Sequence, residues 1–121
     1  MRAIDAIGIT DEMTPNSYDL KCKLKWLEQL EKKIWHEVLT THEGNPAEEE
    51  PTITTGDEPL LIAGADENLY QRYLEMQIAY ANDEAAQYEN AAMLFAAAYS
   101  DWANRYNRSH LPIPRAVKLT F

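Results

Sequence analysis

The stretch Trp35–Gly44, WHEVLTTHEG, holds the residue types from which a zinc site is built. A catalytic zinc helix carries H-E-x-x-H, with two imidazoles one turn apart on one face and the glutamate beside them as base. Here Thr40 stands where the second histidine would be, and the next histidine is His42, six residues after His36. At about 100° per residue, six steps end roughly 240° around a helix, so the two rings face different sides. His36 and Glu43 share a face, but two ligands do not make a zinc site. His110 is the one further histidine and Cys22 the single cysteine. The sequence therefore predicts no metal. It reads the stretch as the end of a helix, with His42 in the last turn, where a cation is favourable, and Gly44 just past the end.

Other chemistry is equally sparse. The run Glu48-Glu49-Glu50 lacks the alternating D-x-D-x-D-G spacing and closing glutamate of a calcium loop. No Gly-rich phosphate loop, Ser-His-Asp set, Cys-His pair or Glu-x-x-His di-iron signature is present in the sequence. The expectation is a protein without cofactor or catalytic residues, so not an enzyme, whose work is done by its surfaces.

A chain of 121 residues, 45% of them apolar, is enough for one domain with a core and is not a disordered composition. One cysteine excludes an internal disulfide. No apolar run approaches the roughly 18–20 residues of a membrane span, and the acidic N-terminal stretch does not read as a signal peptide. A soluble, intracellular origin is expected. The net charge of −9 is unevenly placed. Residues 43–67 hold eight acidic groups and no basic one, while the segments on either side are close to neutral. Repulsion disfavours direct binding of that segment to a phosphate backbone.

The elements follow from periodicity. Residues 1–15 read as a short arm with one or two helical turns around Ala3–Ile7, ended by Pro15. A long helix, about 36 Å, is expected from an Asn16 or Ser17 cap to Gly44, with Leu20, Leu24, Leu27, Leu30, Ile34 and Val38 as one apolar stripe. Lys21, Lys25, Glu28 and Lys32 fall largely outside it. Residues 44–59, rich in Pro, Gly and acid, read as a long solvated loop. Leu60–Ala63 reads as extended. A second helix, capped by Asp66, spans about Glu67–Ala81 and is apolar on a broad face. Asp83 then caps a third, in which Tyr88, Ala92, Phe95, Tyr99, Trp102 and Tyr106 recur at steps of four and three. That aromatic seam suits core packing better than base stacking, because only one basic residue, Arg105, falls within it. Pro112 and Pro114 stop the helix, and RAVKLTF alternates like a strand with no partner in an all-helical domain. The expected fold is all-α in a single domain, 1–121. It has three main helices plus a short N-terminal one, the second and third forming an antiparallel hairpin. The arm is 1–15, the acidic loop 44–59 and the extended tail 111–121. The broad apolar face and the aromatic seam exceed what a three-helix monomer hides, so a homo-oligomer is expected.

Several stretches in this order and spacing resemble a known family: PNSY, KWLEQLE, THEG, LYQRYLEMQIAYAN and YENAAMLFAAAYSDWANRYNRSH. It is the head–tail connector (head-completion, adaptor) family of tailed bacteriophages and prophages of Gram-positive bacteria. The resemblance covers roughly residues 2–111; the EEEP loop and the PRAVKLTF tail depart from it. It implies a non-enzymatic virion subunit at the head–tail junction, assembled in the bacterial host cytoplasm. Its implied partners are further copies in a ring, the portal protein and a tail-side connector protein, with DNA passing through without sequence-specific binding and no membrane contact. Within that picture Glu48, Glu49, Glu50, Asp57 and Glu58 are candidates to face the channel and repel DNA. Arg115, Val117, Leu119 and Phe121 are candidates to extend a sheet on a neighbouring chain. The competing expectation is an acidic phage inhibitor that mimics DNA and occupies a host enzyme.

Overall fold

The computed structural model describes residues 1–113. Among them are four α-helices, α1 (Ala3–Met13), α2 (Leu20–Glu37), α3 (Asn68–Ala81) and α4 (Ala85–Ser109), with 3₁₀ turns at Leu39–Thr41 and Gly64–Asp66. The protein is all-α. No helix of the described residues is long and apolar enough to cross a membrane.

The predicted arm is a full helix. Ala3, Ala6, Ile7 and Thr10 recur at three- and four-residue steps and are buried. Its first amide groups, which no helix can satisfy internally, are met from far along the chain. Ala3 N–H donates to the Glu58 carbonyl at 3.0 Å and Ile4 N–H to the Gly56 carbonyl at 2.9 Å. Gly56 has φ of +99° and lies so close that a Cβ there would stand 3.2 Å from Ile4 Cβ, so glycine is required.

Helix α2 starts later and ends earlier than its periodicity suggests. Asp19, not Asn16 or Ser17, is the N-cap and accepts from Cys22 N–H at 2.8 Å. The helix stops at Glu37, before the expected Gly44. Val38, Thr40 and Thr41 explain the stop: the Thr40 and Thr41 hydroxyls donate to the carbonyls of His36 and Glu37, at 3.1 Å each. Such back-bonding competes with helix propagation. His42 still closes the end, its Nδ1 lying 2.9 Å from the Val38 carbonyl oxygen. Leu24, Leu27, Leu30, Ile34 and Val38 of the stripe are buried, whereas Leu20 stays 43% exposed. Lys23, off the stripe, is buried and grips Asp11 of α1 at 2.8 Å.

Helices α3 and α4 form the antiparallel hairpin. Its turn uses Asp83 in the left-handed region, φ +59°, which Asp tolerates better than most residues. Asp83 is therefore the turn residue, and Glu84 rather than Asp83 occupies the N-cap. The aromatic seam lies on the inner side of α4. Tyr73 of α3 meets Phe95 at 5.2 Å, and contacts continue through Tyr99, Trp102 and Tyr106 to a stacked Tyr106–His110 pair at 3.8 Å. Just after α4, residues 111–113 pair with the turn that follows α2: Glu43 N–H donates to the Leu111 carbonyl and Ile113 N–H to the Thr41 carbonyl, both at 2.8 Å. Arg115, Val117, Leu119 and Phe121 lie outside the described residues.

One buried carboxylate joins these parts. Glu31, 1% exposed, accepts the Tyr70 hydroxyl of α3 at 2.6 Å and Leu61 N–H at 2.7 Å. The same Tyr70 oxygen accepts Ile62 N–H at 2.9 Å. Burial pushes the Glu31 carboxyl up to about 7, against the favourable pull of its two donors. Between its usual 4.5 and about 7, the folded chain keeps a proton that the unfolded chain has lost. This contribution to stability is complete below that window and is lost as pH rises through it. Between pH 5 and pH 8 it amounts to about 2–3 kcal/mol. Denaturant titration at several pH values should show that loss in the parent chain and a flatter profile in Glu31→Gln. An equal slope in both proteins would contradict the assignment.

Candidate interaction surfaces

The acidic segment is a folded part of the molecule, fastened along the outer side of α2. Trp35 Nε1 donates to the Ala47 carbonyl at 3.0 Å. Glu50 meets His36 Nε2 at 2.7 Å and Lys32 at 3.5 Å. Ile53 N–H donates to Glu28 Oε2 at 2.8 Å, and the Ile53 side chain is buried in the core. Proline and glycine prevent regular structure here, as expected, but side chains take up the loop's backbone groups: Glu28 and Trp35 from the helix beneath it, Glu58 and Asn45 from the loop itself. Removing residues 45–58 would strip α1 of its capping carbonyls and the core of Ile53, so the loop is not dispensable to the fold.

Glu58 organises the tip. Its carboxylate accepts Thr54 N–H and Gly56 N–H at 2.8 Å, Thr55 N–H at 3.1 Å and the Thr54 hydroxyl at 2.9 Å. These amides, Thr54 first, hold its carboxyl far below the usual carboxylate range. A lowered folded value means that its contribution is present at neutral pH and lost on acidification.

These bonds change the meaning of the charge. Of the eight acidic residues in 43–67, Glu50 and Glu58 are engaged as described. Asp57 pairs with Arg2 at 3.1 Å, Asp66 with Arg105, and Glu67 with the amino group of Met1 at 3.0 Å. Glu43, Glu48 and Glu49 have no side-chain partner among the described residues. Of the five acidic candidates, then, the structure leaves Glu48 and Glu49 without a partner among the described residues and engages Glu50, Asp57 and Glu58 with other groups of the chain, Asp57 and Glu50 while still exposed. His36 faces Glu50, and no cluster of three or more His, Cys, Asp or Glu side chains is placed to hold a metal among the described residues.

Two surfaces were not singled out by sequence. A trough of about 690 Å³ opens between the first half of α2 and the loop, lined by Leu20, Lys21, Leu24, Lys25, Ile53 and Thr54 among others. Lys21 and Lys25 are exposed and make no ion pair among the described residues. Their position off the apolar stripe was visible in the sequence. The trough floor was not, because Ile53 arrives from another part of the chain. The second surface is the outer side of α4, where Met93 is 73% and Leu94 40% exposed beside exposed Ala86, Ala96 and Ala97.

Comparison with known proteins finds no matching family model, no matching curated protein and no matching solved structure.

Replacing Glu58 with Gln removes the charge that its amide cradle was built around. Thermal melts should show a lower midpoint at neutral pH and a smaller difference between neutral and acidic buffer than in the parent. A variant that melts like the parent at both pH values would show that the cradle contributes nothing.

Proposed function

We propose that the protein is a non-enzymatic subunit of a head–tail connector ring of a tailed bacteriophage. In this reading it extends the channel below the portal protein and presents a docking surface to the tail-side connector. The structural observation that carries the reading is α4. This 25-residue helix is about 37 Å long. Its inner seam of Phe95, Tyr99, Trp102 and Tyr106 packs on the subunit's own core. Its outer side keeps Met93, Leu94 and three alanines uncovered. Small side chains let another helix approach closely, and exposed apolar area of this kind suits a protein built for assembly. The resemblance over residues 2–111 supplies the choice of assembly. DNA passes through the ring without sequence-specific contact, since the chain's net charge of −9 disfavours holding a phosphate backbone.

The inhibitor reading fares less well. Mimicry of DNA needs carboxylates spread at phosphate-like intervals over a rigid face. Here the acidic groups of the loop region left without a partner among the described residues are Glu43, Glu48 and Glu49, which cannot outline a duplex.

Light scattering over a range of concentrations should give a discrete high oligomer of fixed subunit number, and negative-stain images should show annular particles. A monomer at every concentration, with no binding to purified portal protein, would contradict the connector reading.

A further inference from the structure

The two ends of the outer face of α2 carry opposite charge, and each end is unfinished. At the N-terminal end Lys21 and Lys25 stand one helical turn apart on the rim of the trough, exposed and without acidic partners among the described residues. Beside them Leu20 is 43% exposed, lying over Leu24 and Ile53, which are buried in the core. The one acidic side chain on this wall, Glu28, is occupied: Ile53 N–H fills one oxygen and Lys32 lies 3.5 Å from the other. Toward the C-terminal end the loop turns over Trp35 and His36, and Glu48 and Glu49 project from it without cationic partners among the described residues.

The two patches cannot complete each other within one chain. Ala47 is held at Trp35 and Glu50 at Lys32 and His36. Trp35 lies about 15 Å along the helix axis from Lys25. The bonds that pin the loop therefore hold its free carboxylates away from the free ammonium groups.

We propose that the trough receives the Pro46–Glu49 turn of a second copy, with Glu48 and Glu49 meeting Lys21 and Lys25 and the Pro46 and Ala47 side chains covering Leu20. This deepens the assembly reading and rests on it. Because the two patches differ, the contact is heterologous: each copy gives a loop to one neighbour and takes a loop from the other, the arrangement from which rings close. The pairing lies at a solvent-exposed rim, so it sets register and partner choice more than bulk affinity, and salt weakens it.

The test is a charge swap at exposed positions, so the fold is not at stake; unchanged circular dichroism melts verify this for each variant. Lys21→Glu/Lys25→Glu and Glu48→Lys/Glu49→Lys are each examined alone, mixed with each other, and combined in one chain, with molar mass followed by light scattering. Each pair alone should weaken association about tenfold or more. The mixture and the four-fold variant should restore it, because every loop then meets a trough of opposite charge. In the parent, association should fall as salt rises from about 0.05 M to about 0.5 M. Reversals that leave the oligomer unchanged would overturn the proposal and move the contact elsewhere, for instance to α4, with the connector reading intact. Reversals that dissociate it without rescue by mixture or swap would overturn the pairing. A parent chain that never self-associates would overturn the contact outright, while binding to purified portal protein would decide the connector reading separately.

Discussion

A carboxylate with almost no access to water can remain in a core only if its oxygens are met. Glu31 satisfies that constraint with Leu61 N–H and the Tyr70 hydroxyl, and Tyr70 in turn takes Ile62 N–H. The three bonds join α2, α3 and the extended segment between the loop and α3. Once Leu61 and Ile62 are fixed, the chain behind them is set beside the start of α1, and Leu60 N–H reaches the Met1 carbonyl at 2.9 Å. The order of α1, the seating of the loop and the hairpin's position over α2 all pass through this group. Removing one partner leaves the others buried and unpaired, which is why such networks cost more to break than their separate bonds suggest.

The acidic segment repeats the same device at smaller scale. Irregular backbone has no ladder or helix to satisfy its amides, so side-chain acceptors do it: Glu28 for Ile53 and Glu58 for Thr54, Thr55 and Gly56. Charge that looks in the sequence like a solvated brush is largely spent on the chain's own donors. The acidic side chains left over are few, and so are the positive ones left at the other end of α2. That sparse remainder, rather than the total of −9, is what a partner would meet.

The helical parts of this fold were legible because their cause is local. The stripe from Leu24 to Val38, the broad face of α3 and the seam of α4 are spacing patterns, and the core is built from them. The errors have non-local causes. The arm became a full helix because Gly56 and Glu58 cap it from more than fifty residues away. The loop was fastened by acceptors on α2 that no window of sequence brings near it. Two misses were local and readable: Thr40 and Thr41, whose hydroxyls stop α2, and Glu31, an acid set between Leu27 and Ile34 on the buried stripe. The same division governs the candidate surfaces. Glu48 and Glu49 were visible as charge, but only the fold separates them from Glu50, Asp57 and Glu58, and only the fold places Lys21 and Lys25 on the rim of a trough.

The central claim is that residues 44–63 are built into the structure by α2 rather than draped over it. Amide hydrogen exchange, resolved by residue, addresses it most directly. The account predicts that Ile53, Leu61 and Ile62 exchange nearly as slowly as the core amides of α2, while Glu48 and Glu49 exchange fast. Uniformly fast exchange across the whole segment, with α2 and α3 still protected, would contradict it.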